Sequence, residues 1–135
     1  MLYRVIFVSD AVGPTGTTTL SIAQILGVSE RNNRRDDLCS AVLFHGGKIL
    51  QAVEGARADI DRLMRRLSTD PRHCSLRILS DDPIDSRRIK GPMALCAVPA
   101  DEVSRRLGQR DLTQLSADEA QTLLGACPQS WRVAA

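Results

Sequence analysis

Aromatic residues are scarce in this chain: Tyr3, Phe7, Phe44 and Trp131 are the four among 135 residues. So few rings cannot build a base-stacking platform for single-stranded nucleic acid. Charge of one sign is lacking too, since 18 Lys and Arg against 16 Asp and Glu leave a net +2. The arginines are scattered rather than banked on one stripe, so nucleic acid is not expected as a partner. No apolar run approaches the roughly 20 residues of a membrane span, and no signal-peptide pattern opens the chain. A membrane partner is therefore not expected. Cysteine is sparse as well. Cys39, Cys74, Cys96 and Cys127 fit neither C-x-x-C nor any zinc spacing, which predicts reduced, half-buried thiols of a cytoplasmic protein. The two histidines, His45 and His73, have no carboxylate or cysteine at catalytic spacing, so neither a metal site nor a nucleophilic triad is expected. Gly13-Pro14-Thr15-Gly16-Thr17 has the wrong spacing for a phosphate loop and no lysine. An acylphosphatase-like hydrolase would need an Arg/Asn cradle after the first strand, and Asp10 to Gly16 offers neither residue. The expectation is that the chain is not an enzyme.

What is present reads as one globular domain, with 43% hydrophobic and 25% charged residues. Leu2 to Val8 is a near-continuous apolar run suited to a strand covered on both faces. Thr17 to Thr19 offer an N-cap for a helix carrying Leu20, Ala23 and Ile25-Leu26, and Gly27 either weakens or ends it. Leu38 to Phe44 and Lys48 to Glu54 are strand-like, joined by Gly46-Gly47, whose freedom to take positive φ suits a two-residue hairpin turn. Ile60, Leu63, Met64 and Leu67 fall at i, i+3, i+4 and i+7, with charged residues opposite, and mark a helix. Ser75 to Leu79 reads as a strand, Asp81-Asp82-Pro83 as a turn, and Met93 to Val98 as a last strand. Two short helices follow, the second opened by the capping-box pattern Ser116-Ala117-Asp118-Glu119. This order predicts an α+β, ferredoxin-like β-α-β-β-α-β arrangement with an added fifth strand. Two long helices are expected on one sheet face, with the two short C-terminal helices covering the other face or mediating a dimer.

Three polar groups stand out against that frame. Alternation places Ile49, Gln51 and Val53 on one face of their strand, so the Gln51 carboxamide is expected in an apolar environment where it must find partners. It either bonds a neighbouring loop or faces a polar, planar ligand. Asn32-Asn33 near the end of the first helix is either a C-cap signal or a pair of amides suited to an edge of carbonyl and N–H groups. Arg72-His73 after Asp70-Pro71 is either an exposed loop or a grip on a phosphate, and Arg66 beside Arg65 is either a solvated face or part of the same charge.

Tyr3-Arg4-Val5-Ile6-Phe7-Val8-Ser9, Arg31-Asn32-Asn33, Leu50-Gln51-Ala52-Val53-Glu54-Gly55 and Asp70-Pro71-Arg72-His73 together resemble the BLUF domain, the bacterial blue-light sensor that uses FAD. The resemblance covers about residues 1–97, leaving 98–135 as a helical extension on the sheet or at a dimer interface. It implies that Asn32 and Asn33 bond the pyrimidine edge of the flavin and that Ile25 packs on the ring. It further implies Gln51 at N5 and O4, Arg66 near O2, Asp70, Arg72 and His73 around the ribityl-phosphate end, and Met93 on the last strand. Three departures stand out. The light-switching tyrosine of the family falls on Phe7, a tryptophan two residues before Met93 is replaced by Gly91, and the usual Gly-Ile-Thr-Gly reads Asp37-Leu38-Cys39-Ser40. The resemblance thus implies a cytoplasmic FAD-binding sensor that signals through an unidentified protein partner as a homo-oligomer, with the usual photoswitching impaired by Phe7. The alternative is a flavin-free interaction module on the same scaffold.

Overall fold

The computed structural model of the chain describes residues 1–11, 19–69, 73–96 and 98–125. Its elements are β1 (Leu2–Ala11), α1 (Thr19–Arg35), β2 (Cys39–His45), β3 (Lys48–Ala56), α2 (Arg57–Ser68), β4 (His73–Ile84), β5 (Ala94–Leu95), α3 (Ala100–Leu107), a 3-10 turn (Leu112–Gln114) and α4 (Ala117–Gly125). The five strands form one sheet in the order β4-β1-β3-β2-β5. All neighbours are antiparallel except β2 and β5, which makes the sheet mixed. This is the ferredoxin-like α+β arrangement with an added strand. β1, α1 and β2 form a crossover whose gap is filled by β3, which returns from β2 through the Gly46-Gly47 turn at φ +58° and +75°. Helix α1 runs through Gly27 without a break.

Period-two alternation divides the strand residues between two layers. Val5 and Phe7 of β1 and Val53 of β3 pack against Ile60 and Leu63 of α2. Val42 of β2 and Ile49 of β3 pack against Leu26 of α1 and Met93. The other face, with Ile6, Val8, Ala41, Leu43, Leu50 and Ala52, is covered by Val103 and Leu107 of α3, Leu112, and Ala120, Leu123 and Leu124 of α4. Both faces of β1 and β3 are therefore buried, which is why these strands read as nearly continuous apolar runs.

Three expectations are corrected. Asp81-Asp82-Pro83 does not turn but continues β4, pairing with Val5, Arg4 and Tyr3. β4 is an edge strand, where a proline without an N–H and two solvated carboxylates are tolerated. Arg57 of α2 also holds Asp81 there, with Nη1 donating to Oδ1 at 2.7 Å. The last strand shrinks from Met93–Val98 to Ala94–Leu95. Cys39 is a free thiol but Cys96 is disulfide-bonded, because separation along the chain does not report separation in space. No helix among the described residues is long and apolar enough to cross a membrane.

The capping box opening α4 forms as its pattern predicts. Ser116 Oγ accepts from the Glu119 amide and Glu119 Oε1 accepts from the Ser116 amide, both at 3.1 Å. Arg110 grips the same carboxylate with two guanidinium nitrogens at 2.9 and 2.7 Å. Led by the Arg110 hydrogen bond, then by the Ser116 amide, these contacts hold the Glu119 carboxyl at about 2, below its ordinary 4.5. A depressed carboxyl stabilises the fold fully above its ordinary value and loses that contribution as pH falls through the folded one. Ser116→Ala will cost about 0.5–2 kcal/mol in chemical unfolding. Acidification from pH 4.5 to 2 will destabilise the native chain more than Glu119→Gln, whose acid profile will be flatter over that window.

Candidate functional site

The two apolar clusters under α1 and α2 are separate, and the seam between them on the sheet is polar. Gln51 lies at its centre on β3. Its direct cross-strand neighbours are Phe7 on β1 and Val42 on β2, neither of which has a polar side-chain atom. Ser40, fully buried and paired with Val53, stands diagonally across from Gln51 on the same face. Diagonal neighbours in a sheet are within reach of a long side chain. Gln51 Nε2 accordingly donates to Ser40 Oγ at 3.4 Å.

Asn33 reaches the seam from above, and the end of α1 explains how. Leu38 N donates to Asn33 O at 2.8 Å, and Asp37 takes φ +56° just past the helix. Such a left-handed residue followed by a six-to-one bond closes a helix with a defined exit angle. Asn32 and Asn33 are thus helical residues of the last turn, and the chain-reversing position belongs to Asp37. Asn33 is 1% exposed and donates both amide hydrogens, to Ser40 Oγ at 3.0 Å and to Pro92 O at 2.8 Å. Its Oδ1 is buried with no partner among the described residues. Asn32, by contrast, is half-buried.

Arg66 comes from the last turn of α2. It is half-buried rather than solvated, and its Nη1 donates to Asp36 Oδ2 at 3.2 Å. Its Nη2 is the second buried polar atom without a partner among the described residues. Asp36 also accepts from Arg35 at 3.1 Å, and the Arg35 hydrogen bond in particular holds its carboxyl below the usual range. Asp36 and Pro92 had no signal in the sequence pattern, and Ser40 stood out there only as the end of the altered Asp37-Leu38-Cys39-Ser40 stretch. Their role comes from contacts between elements.

Glu54 explains the acidic residue of the Leu-Gln-x-x-Glu-Gly stretch. It is 0% exposed; Oε1 accepts from the amides of Arg88 and Ile89 at 2.8 and 2.7 Å. Oε2 accepts from Arg4 Nε and Nη2 at 2.8 and 2.5 Å. The following Gly55 is needed for close packing, because a Cβ there would overlap Leu38 Cδ2. Glu54 therefore anchors the segment that passes through Gly91, at φ +88°, to Pro92 and the buried Met93. An unstrained glycine stands at Gly91 where an L side chain would be forced into the left-handed region.

Of the other residues singled out from the sequence, Phe7 is 1% exposed and packs with Val5, Leu38, Val53, Ile60 and Leu63. Asp70 and Arg72 lie outside the described residues, as do the side chains of Ile25 and His73. Gln51 and Asn33 thus meet at Ser40, while Arg66 is held by Asp36 of the turn that follows α1. A free buried acceptor and a free buried donor, each costing about 1–3 kcal/mol if left unmade, suit a ligand edge that carries both an N–H and a carbonyl. Removing the anchor should loosen the seam from below. Glu54→Ala will cost about 3–5 kcal/mol, since it leaves Arg4 unpaired and two amides without an acceptor. Hydrogen exchange at the Arg88 and Ile89 amides will rise with it, and a native unfolding midpoint would overturn this account.

Comparison with known proteins places the fold and the family. The family profile described as sensors of blue light using FAD matches residues 2–92. The dark-state structure of BlrB, a BLUF protein, is 27% identical with a TM-score of 0.73, covering 91% of both chains. The photo-activated state of BlsA superposes with a TM-score of 0.81 over 93% of both chains at 17% identity, a likeness of fold. A photoactivated adenylate cyclase subunit beta-like protein of Euglena gracilis is 28% identical over 86 residues, which is 64% of this chain. This chain spans about a tenth of that relative's length, as the matched part is 10% of it.

Proposed function

This chain belongs to the BLUF family, the sensors of blue light using FAD, and on that premise we propose that it is an FAD-binding sensory domain that signals by contact with a partner protein, with the usual photoswitching impaired at Phe7. The observation that supports the flavin assignment is the pair of buried atoms without a partner among the described residues, Asn33 Oδ1 and Arg66 Nη2. FAD supplies a planar ring that absorbs blue light and whose pyrimidine edge carries carbonyl and N–H groups. In this reading Asn33 Oδ1 accepts from the ring N–H and Arg66 Nη2 donates to a ring carbonyl. Asp36 keeps the Arg66 guanidinium aimed, since it holds the neighbouring Nη1. Gln51 faces the polar edge of the ring, Asn32 bonds that edge beside Asn33, Ile25 packs on the ring, and Met93 is the methionine of the last strand. Asp70, Arg72 and His73 serve the ribityl-phosphate end. Residues 1–97 hold the flavin, and 98–135 form the extension whose α3 and α4 cover the opposite sheet face.

Phe7 decides how such a domain responds. Its ring lies directly across from Gln51 on the neighbouring strand, in the place where the family carries a tyrosine. A phenyl ring has no O–H to donate or release and is harder to oxidise than a phenol. Gln51 can then hold one orientation but has no hydroxyl on β1 to exchange hydrogen bonds with.

Two measurements test this. Purified protein will carry or take up FAD, and Asn33→Ala will weaken FAD about tenfold, the equivalent of one buried hydrogen bond. Unchanged affinity in both Asn33→Ala and Gln51→Ala would overturn the placement. A colourless protein that takes up no added FAD would instead assign the chain as a flavin-free interaction module. Under blue light the FAD-loaded native protein will show no reversible red shift. Phe7→Tyr adds one hydroxyl beside the Gln51 amide and will restore part of that response. A reversible shift in the native protein refutes the role given to Phe7.

A further inference from the structure

The hydrogen-bond pattern on the sheet points to a second task that has moved to another strand. We propose that Ser40 is the positioning residue for the Gln51 carboxamide, holding it from β2 in a chain where position 7 on β1 has no polar atom to offer. Gln51 sits between two apolar direct neighbours, Phe7 and Val42. Among the described residues, the polar side chain that Gln51 bonds is Ser40, with Oγ accepting at 3.4 Å. Ser40 is 0% exposed, so water does not compete for its hydroxyl.

Counting donors and acceptors gives Ser40 its role. A hydroxyl has two acceptor sites and one proton. Asn33 Nδ2 takes one acceptor site at 3.0 Å and Gln51 Nε2 the other. The Gln51 amide nitrogen is thereby directed toward β2 and its carbonyl oxygen away from it. The same hydroxyl links Gln51 to Asn33, and the second Asn33 hydrogen goes to Pro92 O at 2.8 Å. A continuous line Gln51–Ser40–Asn33–Pro92 therefore runs from the centre of the sheet to the segment that enters β5. A glycine or alanine at position 40 would break the line at its middle and leave two buried amide hydrogens unmatched. Ser40 touches no reacting atom in this scheme. It sets which way Gln51 points.

The proposal rests on the reading that Gln51 faces FAD, and the test separates the two. In the flavin-free protein, the side-chain amide resonances of Gln51 and Asn33 are followed by nitrogen-15 NMR in native protein, Ser40→Ala and Ser40→Cys. Ser40→Ala will shift the Gln51 Nε2 resonances and raise exchange of those amide protons about tenfold, the loss of one hydrogen bond. Ser40→Cys, with a weak acceptor of similar shape, will fall between the two and guards against a folding defect in the alanine variant. The Ser116 and Glu119 amide signals serve as the control for global folding. With FAD added, Ser40→Ala will also change the absorption band shape of the bound flavin. Gln51 resonances that stay in place while those of Asn33 move would overturn the proposal, because Ser40 would then serve Asn33 alone. An NMR result as expected with no FAD uptake by native protein would leave the Ser40 contact standing and overturn the flavin reading.

Discussion

The buried carboxylate of Glu54 is the constraint on which the arrangement of this domain depends. It lies on the middle strand, excluded from water, and gathers Arg4 from β1 and two main-chain amides from the segment after β4. A charge in that position is tolerated only with its lone pairs filled, so the three pieces of chain must come together or the fold loses several kcal/mol. Arg87 adds to the same closure, its guanidinium reaching Glu54 O at 3.1 Å and Asp37 O at 2.9 Å. The end of α1, the centre of the sheet and the approach to β5 are therefore tied at one place. Pro92 and Met93 owe their positions to that tie.

With the sheet held in this way, its two faces take on different tasks. The face under α3 and α4 carries one large apolar cluster, with the Arg4–Glu54 pair on the same face beside it. The face under α1 and α2 is divided into two clusters, and its polar groups collect where they part. Leaving Asn33 Oδ1 and Arg66 Nη2 without partners is a cost that an apolar filling would have avoided. The proposed flavin reading would meet that cost by supplying the missing bonds.

On the proposed reading, the carboxamides of Asn33 and Gln51 serve the ligand and position 7 offers no hydroxyl. Phe7 keeps the shape that α2 packs against while removing the group that would bond Gln51 from β1. Ser40 of β2 supplies a hydroxyl from the opposite side. The two positions are coupled through one residue, since both set the partners open to the same carboxamide.

Much of the fold was legible in the sequence because its signals are local. The Gly46-Gly47 turn, the 3.6-residue stripe of α2, the Ser116 capping box and the period-two strands each depend on a few neighbouring residues. The burial of Gln51 followed from alternation alone, and its neighbours on the strand fixed which face it joined. The tertiary structure decided the rest. Whether Pro83 ends a strand depended on β4 being an edge, which is a property of strand order. Whether Asn33 ends a helix or lies within it depended on where Asp37 turns the chain, and the ion pair of Arg66 depended on the turn after α1 bringing Asp36 to it. Ser40 stood within reach of Gln51 through the β2–β3 register, a quantity that no short window of sequence contains. Residue type and local period determined what each segment was; contacts between segments far apart in the chain determined which polar groups were satisfied and which were left open.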